Sequence, residues 1–297
     1  MSYNFSEKPM PKQISDSQLG QSTHYPNQYD PTQLFPIARA VTRQGSRAEN
    51  TPTWIGADLW TAFEISWLDL KGKPVVAIAS FSFAESNPFL IESKSFKLYL
   101  NSFNQSRFAS TEEVMTLLSQ DLSKAAGGQV LVQLLPSHAW TDNQIIHLPG
   151  SCVDELDLAI DCYEPNPHLL KLVDSDETPT ETEQIKMLYS NLLKSNCPVT
   201  NQPDWGSVIV AYQGKSIDPA AFLRYIVSYR QHNGFHELCV EEIYCDILRH
   251  CMPEALFVCA RYTRRGGLDI NPWRASDEAI VKSVAELLKP FSRLARQ

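Results

Sequence analysis

The same order of hydrophobic periodicities occurs twice along this chain, and that repetition restricts the fold more than any single residue does. From Gly56 onward, Thr61, Phe63, Ile65 and Trp67 alternate with Ala62, Glu64 and Ser66, which predicts a strand with those four side chains on one face. Lys71-Gly72-Lys73-Pro74 turns it into a second, more apolar strand ending near Phe83. Beyond Asn87-Pro88 the period becomes helical through Phe96, Tyr99, Leu100 and Phe103. A second helix opens at the capping box Ser110-Thr111-Glu112-Glu113 and closes at Gly127-Gly128. Strands are expected at Gln129–Leu135 and Glu155–Tyr163.

An acidic, Thr-rich stretch from Asp174 to Glu183 separates the halves, and most of the order then recurs. Strands are expected near Lys186–Asn196 and Trp205–Gln213. A helix follows, capped by Asp218 with Pro219 at its first position, and presents Phe222, Tyr225, Ile226 and Tyr229 on one side. Another runs from near Phe235 to Cys251, and Ala255, Phe257, Cys259 and Arg261 alternate as a strand. The repeat lies in pattern, with little residue identity. It predicts an α+β protein of two modules, each an antiparallel sheet with helices packed on one face, over residues 41–173 and 174–297 behind a polar segment 1–40.

Composition narrows the function. With 26 Lys and Arg against 34 Asp and Glu the formal charge is -8, so a broad basic face for nucleic-acid phosphates is not expected. The longest apolar stretch, Val75–Phe83, is interrupted by serines and falls well short of the roughly 20 residues a bilayer-spanning helix needs. The first thirty residues lack the basic start and apolar run of a secretory signal, which makes the cytoplasm the expected address. The 7 cysteines include no CxxC pair and read as reduced thiols.

Four segments carry residues suited to chemistry. In Ser195-Asn196-Cys197-Pro198-Val199-Thr200-Asn201-Gln202-Pro203-Asp204 a thiol ends a strand in a Pro-bounded loop with a carboxylate seven residues on, a nucleophile with a proton donor. Spacing alone does not separate this from a buried structural thiol and a turn aspartate. Gly234-Phe235-His236-Glu237 opens a helix: the ring could stack on a planar heterocycle while the carboxylate takes N–H groups from its edge, or the residues merely pack and cap. Ile91-Glu92-Ser93-Lys94 at another helix start suits phosphate binding or a solvated face. Arg264-Arg265-Gly266-Gly267 permits close phosphate approach, and reads equally as a turn stabilised by Asp269. Cys197, His236 and Cys239 form a rival set of three zinc ligands.

Taken in order, Glu92-Ser93-Lys94-Ser95-Phe96-Lys97-Leu98-Tyr99, the Cys197–Gly206 loop, Phe235-His236-Glu237 and Arg264–Trp273 resemble the long, two-module form of the NADPH-dependent 7-cyano-7-deazaguanine reductases, nitrile reductases of queuosine biosynthesis. The resemblance spans about residues 50–290. It implies the tunnelling fold shared with GTP cyclohydrolase I, a homodimer, and two NADPH consumed per nitrile. It further implies Cys197 as the nucleophile forming a thioimide and Asp204 as proton donor. Ile91, Glu92, Ser93, Phe235, His236 and Glu237 would hold the deazaguanine; Ser93, Lys94, Arg265 and Gly266 would bind NADPH, with no metal. The rivals are a zinc hydrolase of the cyclohydrolase type and a non-catalytic purine- or pterin-binding protein.

Overall fold

The computed structural model describes residues 25–297 apart from 51, 143–144 and 175–178. In chain order it contains strands β1 (Pro36–Ala38), β2 (Ile55–Leu68), β3 (Pro74–Ala84), β4 (Phe89–Ile91), β5 (Val130–Pro136), β6 (Ser151–Cys152), β7 (Lys186–Asn196), β8 (Pro203–Gln213), β9 (Ala255–Tyr262) and β10 (Leu268–Ala275). Its helices are α1 (Arg39–Arg43), α2 (Ser93–Ser102), α3 (Thr111–Ala126), α4 (Pro179–Glu183), α5 (Pro219–Ser228), α6 (His236–Cys251) and α7 (Glu278–Ser283). Eight strands make one sheet in the order β5-β3-β2-β10-β9-β8-β7-β6, antiparallel except where the short β6 pairs with β7. The halves join along β2 and β10, from Leu268 opposite Ala62 to Ala275 opposite Ile55.

Each half folds from local signals that agree. Ser110 accepts the Glu113 N–H and Glu113 Oε2 accepts the Ala109 N–H, so α3 opens on reciprocal capping; Gly127 at φ 71° closes it. Asp218 Oδ1 caps α5 through the N–H groups of Ala220 and Ala221. The helices α2 and α3 bury Phe96, Tyr99, Leu118 and Leu122 against Trp60, Phe81 and Val130. In the second half α5 and α6 bury Phe222, Tyr225, Ile243 and Tyr244 against Val208, Val210 and Val258. Strand alternation puts both clusters on the same face. The opposite face of the second half is covered by the C-terminal segment, where Ile280, Val284, Leu287 and Leu294 pack on Ile209, Ala211, Phe257 and Cys259.

Three departures from the sequence expectation have physical causes. The face of β2 is not Thr61, Phe63, Ile65 and Trp67: a shift of register between Ala62 and Ile65 inserts an extra residue, so Trp60 and Ala62 join Ile65 and Trp67 in the core. Phe63 instead lies beneath Arg264, whose guanidinium sits 4.0 Å from the ring centroid. A matching shift falls between Ser190 and Leu193 in β7.

No strand forms at Glu155–Tyr163. Beyond Cys152 the Asp154 carboxylate turns into the β7 bulge and accepts the N–H of Asn191 and the hydroxyl of Ser190, which ends the ladder. Leu156 and Tyr163 are consequently exposed. The strand that completes the second half, β10, lies instead in the stretch whose Asp269, Asn271 and Pro272 suggest a turn. Pro272 is tolerated because β10 pairs with β9 only at Trp273, Arg274 and Ala275. Alongside the gap, Asn271 Oδ1 accepts the Tyr262 N–H.

Candidate active site

The four chemical segments converge where the halves meet. Cys197 follows the last residue of β7, and its N–H donates to the Gln202 carbonyl across a loop that turns through Asn201 at φ 55°. In the returning strand Asp204 pairs opposite Ser195, so thiol and carboxyl share one hairpin mouth. That hairpin is tied to the start of α6: Asn196 N–H donates to the His232 carbonyl and Gly234 N–H to the Asn196 carbonyl. The tie brings His236 Nε2 to 3.5 Å from Asp204 Oδ1. The His236 ring also stands edge-on to the buried Tyr262 ring, with centroids 4.1 Å apart.

From the first half, β4 pairs with β1 through Ile91 opposite Pro36 and delivers α2. Glu92 is its N-cap: the carboxylate accepts the N–H groups of Lys94 at 2.5 Å and Ser95 at 2.7 Å. Glu92 is buried, and desolvation raises its carboxyl above the ordinary range against the pull of those two N–H groups. A carboxylate offers about four acceptor positions, so these two N–H groups do not exhaust it.

Glu237, in the first turn of α6, is 4% exposed, and burial, reinforced by the Asp58 charge, pushes its carboxyl up to about 7. Phe235, half-buried, is the residue before the helix.

The tight turn from Arg265 to Leu268 is closed by N–H to carbonyl bonds in both directions, with Gly266 at φ 57° and Gly267 at φ 69°. Such a pair of positive angles is open to glycine and strained for other residues. Arg265 Nη2 lies 2.9 Å from Asp204 Oδ1. One cavity is lined by Ser93, Lys97, His236, Thr263, Arg265, Leu268 and Ile270. Of the expected cofactor residues, Ser93 and Arg265 meet in it, whereas Lys94 and Gly266 do not line it; Gly266 lines a neighbouring cavity with Lys97.

Lys97, one turn further along α2, lines both, and sequence reading assigned it no role. Its ammonium is lowered by burial and by the like charge of Arg265, while Glu92, Asp204 and Cys197 oppose the shift. The missed signal was positional: Lys97 is four residues after Ser93 on a helix, hence on the same face. A Cβ at Gly266 would stand 3.2 Å from Lys97 Cδ, so the missing side chain lets the Lys97 stem pack against the turn and sets two cations, Lys97 and Arg265, at one cavity. The donor set therefore fits the phosphates of NADPH. Arg264 does not belong to this site: it stacks on Phe63 and donates to the Gln297 carbonyl.

A second feature escaped sequence reading. Arg39, Arg43 and Arg47, four residues apart, lie along the acidic side of α6. Arg43 grips Glu241 through two bonds of 2.8 Å, and Arg47 reaches both Glu242 and Asp246. Fully buried Arg274 joins Glu241 to Asp58, which also binds Arg39. These opposed charges fasten β2 and the first half's entry to the helix that begins with His236 and Glu237.

The rival zinc arrangement lacks geometry. Among the described residues, no group of three His, Cys, Asp or Glu is placed to hold a metal ion. Burial pushes the thiols of Cys239 and Cys245 up to about 12 and those of Cys251 and Cys259 up to about 11, so these four stay protonated and unreactive near neutral pH.

A buried thiol and a buried carboxyl on one hairpin thus stand next to a cationic glycine turn at the seam of two joined α+β modules. Residues 25–134 match the family described as "Nitrile reductase, 7-cyano-7-deazaguanine-reductase N-term", and residues 203–281 match "QueF-like protein". A protein of Bordetella bronchiseptica named NADPH-dependent 7-cyano-7-deazaguanine reductase is 50% identical over 266 residues, covering 90% of this chain and 95% of its own. The proteins of that name from Azoarcus sp. (54% over 263 residues; 88% and 91% covered) and Chromobacterium violaceum (51% over 264; 89% and 92%) are similarly close. The chain belongs to the 7-cyano-7-deazaguanine reductase family, and its two halves are tandem tunnelling-fold modules.

Proposed function

We propose that this protein reduces the nitrile of 7-cyano-7-deazaguanine to the primary amine 7-aminomethyl-7-deazaguanine, with NADPH as hydride source. The observation that carries the reading is the placement of Cys197 and Asp204 at one hairpin mouth facing Arg265 and His236. The names of the close relatives support the same reaction.

A nitrile carbon accepts hydride poorly. Addition of the Cys197 thiol across the triple bond forms a C–S bond and leaves a C=NH group, a thioimide that is more readily reduced. Asp204 carries the proton: it takes it from the thiol and returns it to the nitrile nitrogen, so the addition is neutral overall. When bound, NADPH would supply two hydrides, each matched by a proton that Asp204 passes on from solvent; after the first the C–S bond breaks, the Cys197 thiol is returned, and the imine left behind takes the second. His236, beside both Asp204 and Tyr262, keeps that carboxyl oriented.

Glu237 and Glu92 would take the N–H groups of the guanine-type edge, with Phe235 over the ring and Ile91 and Ser93 beside it. A buried carboxylate discriminates against bases lacking those donors, because it would then remain unpaired. Ser93, Lys94, Lys97, Arg265 and Gly266 would hold the phosphates of NADPH. The modules would divide near residues 40 and 173.

The working form would be a cytoplasmic homodimer. Among the described residues β5 pairs with β3 alone, leaving an outer edge with Leu131 exposed that a second copy's sheet could extend.

Incubation with the nitrile, without NADPH, followed by intact-mass measurement tests the reading. A mass gain equal to the whole nitrile, located at Cys197 and absent from Cys197→Ala, is expected. Absence of an adduct in the unaltered protein, or an adduct persisting in Cys197→Ala, contradicts it.

A further inference from the structure

Arg265 is claimed by two different anions. Its Nη2 is bonded to Asp204 Oδ1 at 2.9 Å, and the same residue forms the wall of the cationic turn whose glycines and Lys97 fit a cofactor phosphate. Asp204 is 4% exposed, while the Arg265 side chain is 26% exposed and sits on the solvent side of the pair. A guanidinium has five N–H donors in one plane, so its direction decides which anion it serves. The turn bearing it is fixed: Arg265 and Leu268 bond to each other's backbone, the Gly267 carbonyl accepts the Phe63 N–H, and a Cβ at Gly267 would stand 2.3 Å from Glu64 Cδ. With the backbone held, the side chain is the part that can turn.

We propose that Arg265 changes partner during the reaction, leaving Asp204 for an NADPH phosphate, so that cofactor binding and the protonic work of Asp204 are coupled. The inference rests on the nitrile-reductase reading of this site. In the ligand-free chain the pair holds the Asp204 side chain against Arg265 at the hairpin mouth it shares with Cys197, and the thioimide can form there before NADPH arrives. When the guanidinium turns to the phosphate, Asp204 loses its fixed positive neighbour. Its carboxyl is then released from the ion pair and turns to the nitrogen, to which it passes a proton as hydride arrives at carbon. No atom is consumed by the exchange; one ion pair breaks and another forms.

Coupling of this kind is reciprocal. If the phosphate and Asp204 compete for Arg265, removing the Asp204 charge must tighten NADPH binding. An ion pair of about 1 kcal/mol corresponds to about a fivefold change in affinity. The experiment is a titration of the full chain with NADPH, without nitrile, followed by calorimetry. Four proteins are compared: unaltered, Asp204→Asn, Arg265→Ala and the double variant, each checked for an intact thermal transition. Arg265→Gln replaces Arg265→Ala if the latter does not fold.

Asp204→Asn is expected to bind NADPH about fivefold more tightly, and Arg265→Ala more weakly. Adding Asp204→Asn to Arg265→Ala is expected to change nothing further. If Asp204→Asn leaves affinity unchanged or weakens it while Arg265→Ala still weakens it, the exchange is wrong and the cofactor assignment survives. Tightening that persists in the double variant reduces the effect to general charge and also overturns the exchange. Unchanged affinity in Arg265→Ala removes the cofactor assignment and the exchange with it.

Discussion

Glu237 gives the most quantitative test of substrate recognition. Its carboxyl, pushed up to about 7 by burial and then by the Asp58 charge, must be ionised to accept two N–H groups from a guanine-type edge. The sign follows directly. Above pH 7 the carboxylate is already formed and affinity should be flat. Below it, binding must first expel a proton, so affinity should fall about tenfold per pH unit. The titratable and charged groups around Glu237 are His236, Asp58 and Arg39; both Asp58 and Arg39 belong to the buried ion-pair chain.

The assay is equilibrium binding of the nitrile base to Cys197→Ala, which cannot form the adduct, between pH 5 and pH 8. Glu237→Gln in the same background should lose most of that slope. At pH 8 it should bind about 10- to 100-fold more weakly, the value of a hydrogen bond to a charged group. Equal affinity at pH 5.5 and pH 8 with Glu237 present would refute the reasoning, as would an unchanged slope in Glu237→Gln.

Other outcomes follow from the same geometry. Asp204→Asn, which keeps size but cannot carry the proton, should lose about 100-fold or more in turnover with base binding little changed, measured by steady-state kinetics and titration. Lys97→Ala should weaken NADPH in calorimetry more than Lys94→Ala does, because only Lys97 lines the cavity with Arg265. Arg274→Met should cost about 3–5 kcal/mol by leaving Asp58 and Glu241 short of a buried partner, a fall in Tm of about 10 °C in a thermal melt. A shift below about 2 °C would mean that Arg39 and Arg43 suffice for those carboxylates.

What could be read from the residues, and what could not, divides along physical lines. Helices with strong local chemistry, α3 between its capping box and Gly127 and α5 behind Asp218-Pro219, were legible because their ends are fixed by neighbouring residues. The β2 face was not, because a bulge changes the phase of alternation and nothing in Ala62-Phe63-Glu64 announces one. β10 was hidden by Asp269, Asn271 and Pro272, residues that mark turns in isolation and are tolerated here where one neighbouring ladder is interrupted.

Within the site, Cys197 and Asp204 could be paired from their place on one hairpin. Lys97 was passed over although its motif was in view, because its role depends on Gly266, which lies far along the chain and comes near only when β10 pairs with β2. The Arg39, Arg43 and Arg47 series was legible as a spacing of four, but its acidic partners on α6 are some two hundred residues away. Contacts of that range are set by the sheet, not by the local sequence.

The most direct measurement is the loss of NADPH absorbance in the presence of a known, limiting amount of 7-cyano-7-deazaguanine, with the product mass determined in the same sample. Two NADPH oxidised per nitrile, the primary amine as product and no oxidation without nitrile are predicted. NADPH left unoxidised while the base binds, or a hydrolysed product in place of the amine, would contradict a nitrile reductase.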